Sequence, residues 1–194
     1  MPRHALPVLR ILSGACKGLA LRMPSKQSTR PTKAVVRASL LNVLRPVIAT
    51  SGFVEVFGGS GSVGLEALSG GAQEALFFEQ DLQVFALLQE NIRAFEERYK
   101  KPLRVCAIQG DSLALLPQYI NSLSAPQIIV YLDPPFNMPL QNCFACVERM
   151  QIPPSALIIF EHQSQESMPR NLTSFSIIKQ TRFGRTSLSY YANH

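Results

Sequence analysis

The sequence predicts an α/β fold: a mostly parallel sheet of about seven strands, finished by an antiparallel C-terminal hairpin strand and preceded by a small N-terminal β-hairpin/helix extension. Three observations predict it. From Phe53 onward, short apolar runs alternate with helical stripes, the rhythm of strands buried on both faces by crossover helices. A glycine-rich turn directly follows the first of those runs. A length of 194 residues with 46% hydrophobic and 16% charged content supplies one domain's core and argues against extended disorder.

Taken in order, Val8 to Arg22 reads as two strand-like pieces joined by the turn Ser13-Gly14-Ala15-Cys16-Lys17-Gly18, a hairpin. Val36, Leu40, Val43, Leu44 and Val47 then recur at helical spacing, with Thr32 placed to cap the helix and Lys33 and Arg37 on its wet side. Residues 1–48 form this basic extension and 49–194 the main domain. In the main domain the strands are Phe53 to Phe57, Ala75 to Glu79, Val105 to Gln109, Ile128 to Asp133 and Ala156 to Glu161. Helices over Val63 to Leu68, Asp81 to Arg98, Ser112 to Asn121 and Leu140 to Met150 separate them. Thr173 to Thr181 and Thr186 to Tyr191 leave no room for a helix between them and predict an antiparallel hairpin around Gly184.

The net charge of +6 conceals a segregated pattern. Residues 1–45 carry nine basic side chains and no acid, residues 46–92 carry six acids and no Lys or Arg, and four more cations follow Pro169 with no acid. Uncompensated basic termini repel one another and suit a polyanion such as nucleic acid. Four scattered cysteines do not make a disulfide framework, and Cys143-x-x-Cys146 lacks the further ligands of a zinc site, so these thiols are expected to be reduced and packed. No apolar run approaches the ~18 residues of a membrane span and the opening residues lack a signal-peptide core, so a cytoplasmic protein with no membrane contact is expected.

Three motifs carry chemistry. Gly59, Gly61 and Gly64 stand in GxGxxG spacing after a strand and at a helix start, with Gly58 and Ser60 beside them, so a ligand can approach the backbone and the helix's free amides. Glu79 ends the next strand twenty positions after Gly59, where a ribose-binding acid belongs. Glu55, at the exit of the first strand, would repel a pyrophosphate but favour the cationic methionine end of S-adenosylmethionine; a merely structural Glu55 would need a hidden cation. Asp111 and Ser112 follow the third strand, as adenine contacts or as a helix cap. Asp133-Pro134-Pro135-Phe136 ends the fourth strand. Its prolines remove donors and leave the Asp133 carboxylate and the Pro134 carbonyl as acceptors for an amine. Phe136 offers a face for a flipped-out base, a contact worth ~1–3 kcal/mol.

Together these residues resemble the Rossmann-like class I methyltransferases, and over nearly the whole chain they are similar to the RsmD-type enzymes that methylate N2 of a guanine in bacterial 16S ribosomal RNA. The similarity rests on Arg10-Ile11-Leu12-Ser13-Gly14, Lys17-Gly18, Arg30-Pro31-Thr32, Val36-Arg37, the glycine turn, Phe78-Glu79, Gly110-Asp111, Asp133-Pro134-Pro135-Phe136, Glu161-His162 and Phe183-Gly184. The resemblance implies S-adenosylmethionine on Glu55, Gly59, Gly61, Glu79 and Asp111, guanine on Asp133 to Phe136, and RNA against Arg10, Lys17, Arg30, Pro31, Thr32, Arg37 and, from the C-terminal basic segment, Arg185. The chain departs from the family pattern with Glu55 for Asp, Gly58 for Ala, Gly70 for Arg and Ala38 for Glu. The first two keep charge and smallness; the others bear on RNA contact or local packing.

The expected reaction is direct in-line methyl transfer to the exocyclic amine, by a monomer acting on 16S rRNA within the small ribosomal subunit, with no metal and no cysteine nucleophile. The alternatives are an adenine-N6 methyltransferase acting on DNA or RNA, a non-catalytic ribosome-assembly protein on the same scaffold, and a nicotinamide-dependent oxidoreductase. Glu55 and the Asp-Pro-Pro-Phe turn disfavour the last, and a scaffold protein would show an eroded pocket. His162 either lines the site or ends a strand.

Overall fold

The structure, a computed structural model, describes residues 7–24 and 31–193. Strands β1 (Val8–Arg10) and β2 (Ala20–Arg22) form the expected hairpin, and α1 (Pro31–Leu44) follows. Thr32 is therefore not the cap but the second residue of the helix, whose first position is Pro31. Proline's fixed φ and missing N–H suit that first position, which needs no intrahelical donor.

The main sheet then builds from β3 (Ser51–Glu55), α2 (Ser62–Ser69), β4 (Glu74–Glu79), α3 (Leu82–Tyr99), β5 (Arg104–Gln109), α4 (Ser112–Tyr119), β6 (Gln127–Leu132), α5 (Leu140–Arg149) and β7 (Leu157–Gln163). The chain ends with β8 (Asn171–Leu172), β9 (Phe175–Phe183) and β10 (Thr186–Asn193). The strand order is β5-β4-β3-β6-β7-β10-β9-β8. Strands β3 to β7 run parallel, and β10 lies antiparallel to both β7 and β9. The sheet holds eight strands rather than seven because a two-residue edge strand, too short to show a pattern, pairs with the start of β9. Otherwise the architecture is the expected one, a mostly parallel α/β sheet finished by an antiparallel C-terminal hairpin.

Alternate residues of each strand feed two apolar layers. Phe53, Tyr131, Ile159 and Tyr190 pack toward α1, α2 and α3, while Val54, Val130, Ile158 and Tyr191 pack toward α4 and α5. Ile11, Cys16 and Leu21 of the hairpin and Val36, Leu40 and Leu44 of α1 join the first layer, so the N-terminal elements share the core of the sheet. Cys143 and Cys146 are buried in the second layer, whereas Cys106 is exposed on the edge strand β5. Among the described residues no helix is long and apolar enough to cross a membrane.

The chain leaves β3 toward β4 and β5 on one side and returns through β6 and β7 on the other. The crevice between the C-terminal ends of β3 and β6 is thus the point where strand order reverses, the place where open α/β sheets bind ligands.

Candidate active site

Glu55 closes β3 at that crevice and is 3% exposed. Its carboxylate accepts hydrogen bonds from the Gly64 amide at 2.8 Å and the Val63 amide at 3.4 Å, the first turn of α2. The expectation that a structural Glu55 requires a hidden cation is thereby corrected: helix N-terminal donors, aligned with the helix dipole, satisfy it. Burial still outweighs those bonds and pushes its pKa up to about 8. Gly64 is obligatory, because a side chain there would overlap the Phe77 ring and crowd Glu55.

The glycine turn is likewise filled from within. Glu79 at the end of β4 accepts from the Gly59 amide and the Asp81 amide, both at 2.8 Å, and Gly58 and Gly61 donate to the Phe78 and Gly58 carbonyls. Amides expected to be free at Gly58, Gly59, Gly61, Val63 and Gly64 are therefore taken up by the protein's own carboxylates and carbonyls. An anion such as pyrophosphate would meet carboxyl oxygens there in place of free amides, whereas a cation or a pair of hydroxyls would meet acceptors with lone pairs to spare. Ser60 is buried, with its carbonyl held by Asn91 of α3. Asp111 caps α4 through the Leu113 amide at 3.0 Å and stays exposed, with Ser112 buried behind it.

Across the crevice, Asp133 follows β6 and accepts from Lys33 Nζ at 3.1 Å. Lys33 comes from α1 and stays exposed, as expected, while its ammonium reaches over the amine-holding turn. The Asp133 charge raises its pKa further. Beside Asp133, Glu161 of β7 is 7% exposed and accepts a short hydrogen bond from the Tyr131 hydroxyl. Burial, and secondarily the Asp133 charge, push Glu161 up to about 7, while Lys33 and Tyr131 oppose the rise. Lys33, Asp133 and Glu161 line two adjoining cavities. One, of about 50 Å³, runs past Glu55 and Gly58 to Ser60; the other, of about 330 Å³, is walled by Pro134, Pro135, Phe136, His162, Phe183 and Arg185. Phe136 stands 81% exposed at the mouth of the larger one.

His162 lines that cavity, but both ring nitrogens are engaged: Nδ1 donates to the Gln163 carbonyl and Nε2 accepts from the Ser189 hydroxyl, each at 2.8 Å. The tautomer follows because a carbonyl can only accept. Burial lowers its pKa and keeps it neutral.

Of the expected RNA contacts, Arg10, Lys17 and Arg185 are exposed. Arg37 is not. It is 6% exposed and lies 3.5 Å from Glu66 of α2, so it ties α1 to α2 and has no surface to offer RNA. Arg30 lies outside the described residues, as do the side chains of Pro31 and Thr32. The segregated charges are also partly compensated in space, since Arg22 pairs with Glu90 at 2.6 Å and Lys33 with Asp133. Sequence reasoning gave no role to Lys33, Tyr131 or Glu161. The one available signal was that Glu161, like Glu55, is an acid ending a buried apolar strand.

The family described as "Conserved hypothetical protein 95" matches residues 9–192. The chain belongs to this family, the RsmD family. It is 32% identical over 190 residues to the ribosomal RNA small subunit methyltransferase D of Haemophilus influenzae, covering 95% of this chain and 94% of that one. Among solved structures, the yhhF protein of Escherichia coli superposes with a TM-score of 0.79 at 26% identity, over 97% of this chain and 99% of that chain. The rRNA methyltransferase aviRa of Streptomyces viridochromogenes shares the fold at a TM-score of 0.62 and 12% identity, with 88% of each chain covered.

Proposed function

We propose that this RsmD-family chain transfers the methyl group of S-adenosylmethionine to the exocyclic N2 amine of a guanine in the 16S rRNA of the small ribosomal subunit. The observation that carries the reading is the pairing of two acceptor-lined ends at one crevice: Glu55 with the carboxylate-filled glycine turn on β3, and Asp133 with the Pro134 carbonyl after β6. A cationic sulfonium suits the first and an amine the second.

The residues present fit the group. Glu79 keeps lone pairs free for ribose hydroxyls, Asp111 and Ser112 stand at the end of β5 for the adenine, and Glu55 supplies a buried carboxyl that would ionise against the cationic methionine end. When bound, S-adenosylmethionine supplies an electrophilic methyl group. The chain's own contribution is positioning and electrostatics. Asp133 and the Pro134 carbonyl accept the two N–H bonds of the amine, aim its nitrogen lone pair and offset the positive charge that develops there. Phe136 stacks the extruded base, and Lys33 yields Asp133 to the incoming amine.

Asp133→Ala tests this directly. With S-adenosylmethionine saturating, turnover is expected to fall by roughly 10²-fold or more, the cost of removing one preorganised charge-stabilising group. Cofactor affinity should change little in calorimetry. Near-normal turnover would overturn the assignment.

A further inference from the structure

Tyr131 pairs with Ile159 and Leu132 with Phe160 in the parallel β6/β7 ladder. One residue past that last rung, Asp133 stands at the exit of β6 while Glu161 is still within β7, which runs on to Gln163 with Glu161 opposite Leu188 of β10. Both side chains line the same pair of cavities. One oxygen of Glu161 is fixed by the Tyr131 hydroxyl, and among the described residues no protein donor reaches the other. Lys33 supplies the cation without which two adjacent carboxylates would drive one another toward protonation. Neither the family relationship nor the methyl-transfer reading requires this second acceptor beside the amine-holding turn.

We propose that Glu161 is the residue that selects the base, accepting the N1–H of guanine while Asp133 and the Pro134 carbonyl hold the neighbouring N2 amine. This rests on the guanine-N2 reading above and deepens it. Guanine presents N1–H and N2–H₂ as adjacent donors, which an all-acceptor wall matches. Adenine presents an acceptor, N1, beside its N6 amine, so an ionised Glu161 would face a lone pair, and a buried polar mismatch of that kind is costly. The charged and titratable groups sharing a cavity with Glu161 are Tyr131 and Asp133 from β6 and its exit, Lys33 and Arg37 from α1, and Glu55 from β3. His162, next to it on β7, is tied to Ser189 of β10, and Arg185 with Glu166 lies on the outer rim of the larger cavity.

The test uses unmethylated small-subunit RNA carrying either guanine or 2-aminopurine at the methylated position. 2-Aminopurine keeps the amine but turns N1 into an acceptor. Wild-type enzyme is expected to prefer guanine by at least about tenfold in kcat/KM, with the preference growing as pH rises through about 7, where Glu161 ionises. Glu161→Gln, whose amide donates as well as accepts, should lose most of that preference and its pH dependence. A Gln variant that keeps both overturns the inference while leaving the reaction assignment intact. A wild-type product other than N2-methylguanosine overturns the reaction assignment and this inference with it. If Glu161→Gln does not fold, Tyr131→Phe decides. Loss of the hydroxyl that favours the carboxylate should move the pH midpoint upward with guanine preference retained, and an unmoved midpoint overturns the inference.

Discussion

Glu55 is ionisable, buried and satisfied by two amides, and that combination makes it a reporter. Its pKa rises from the ordinary 4.5 to about 8 on folding. Over that interval the folded chain binds more protons than the unfolded one, so this group subtracts stability progressively as pH climbs from 4.5 to 8. The ligand-free protein is expected to lose thermal stability across that range, and Glu55→Gln should flatten the slope of Tm against pH. An unchanged slope would mean that the carboxylate is not held in a poor solvent. The same site predicts a contrast between ligands. S-adenosylmethionine should bind more tightly as pH rises toward 8, while the product S-adenosylhomocysteine, which has lost the sulfonium charge but keeps its ammonium, should gain less, a difference isothermal calorimetry reads directly. Arg37 belongs at this scale too. Removing it leaves Glu66 buried and 1% exposed with no counter-charge, so Arg37→Met is expected to cost about 3–5 kcal/mol in denaturant unfolding.

Among the elements, the N-terminal hairpin is joined to the sheet more tightly than its sequence position suggests. The Ala15 amide donates to the Ser69 carbonyl at 2.8 Å, the Cys16 amide to the Ser69 hydroxyl at 2.9 Å, and that hydroxyl to the Ser13 carbonyl at 2.6 Å. Gly14 sits at φ +80°, and a side chain there would overlap the Ser69 carbonyl. Gly14→Ala is therefore expected to lower stability by about 1–3 kcal/mol, measured by thermal melting. These docked elements also mark the limit of what could be read in the sequence. Strands and helices from β3 to β10, except the two-residue β8, followed from apolar runs and helical stripes because each is long enough to bury a recognisable pattern. The glycine turn and the Asp133 turn were legible because special backbone or missing donors leave a mark in residue type. Arg37 was not legible as a buried partner of Glu66, nor Lys33 as an exposed partner of Asp133. Helical spacing places a residue on a face but does not show what another element, far away in sequence, will lay against that face. Glu161 was hidden for the same reason, since its meaning lies in the β6/β7 register that sets it beside Asp133.

For the molecule as a whole, the basic termini divide into cations that hold the fold and cations that face outward. Arg22, Lys33 and Arg37 pair with Glu90, Asp133 and Glu66. Arg10, Lys17 and Arg185 are exposed and form no ion pair among the described residues. The logarithm of RNA affinity should fall linearly with the logarithm of salt concentration, and alanine at Arg10, Lys17 or Arg185 should each reduce that slope by about 1. A slope insensitive to all three would move the RNA footprint elsewhere. The central claim is chemical, and one experiment meets it most directly: incubate the protein with methyl-labelled S-adenosylmethionine and unmethylated bacterial small ribosomal subunits, digest the RNA and identify the labelled nucleoside. The account predicts N2-methylguanosine at a single position of the 16S rRNA. Label on N6 of adenine, or no label despite measurable cofactor binding, would contradict it.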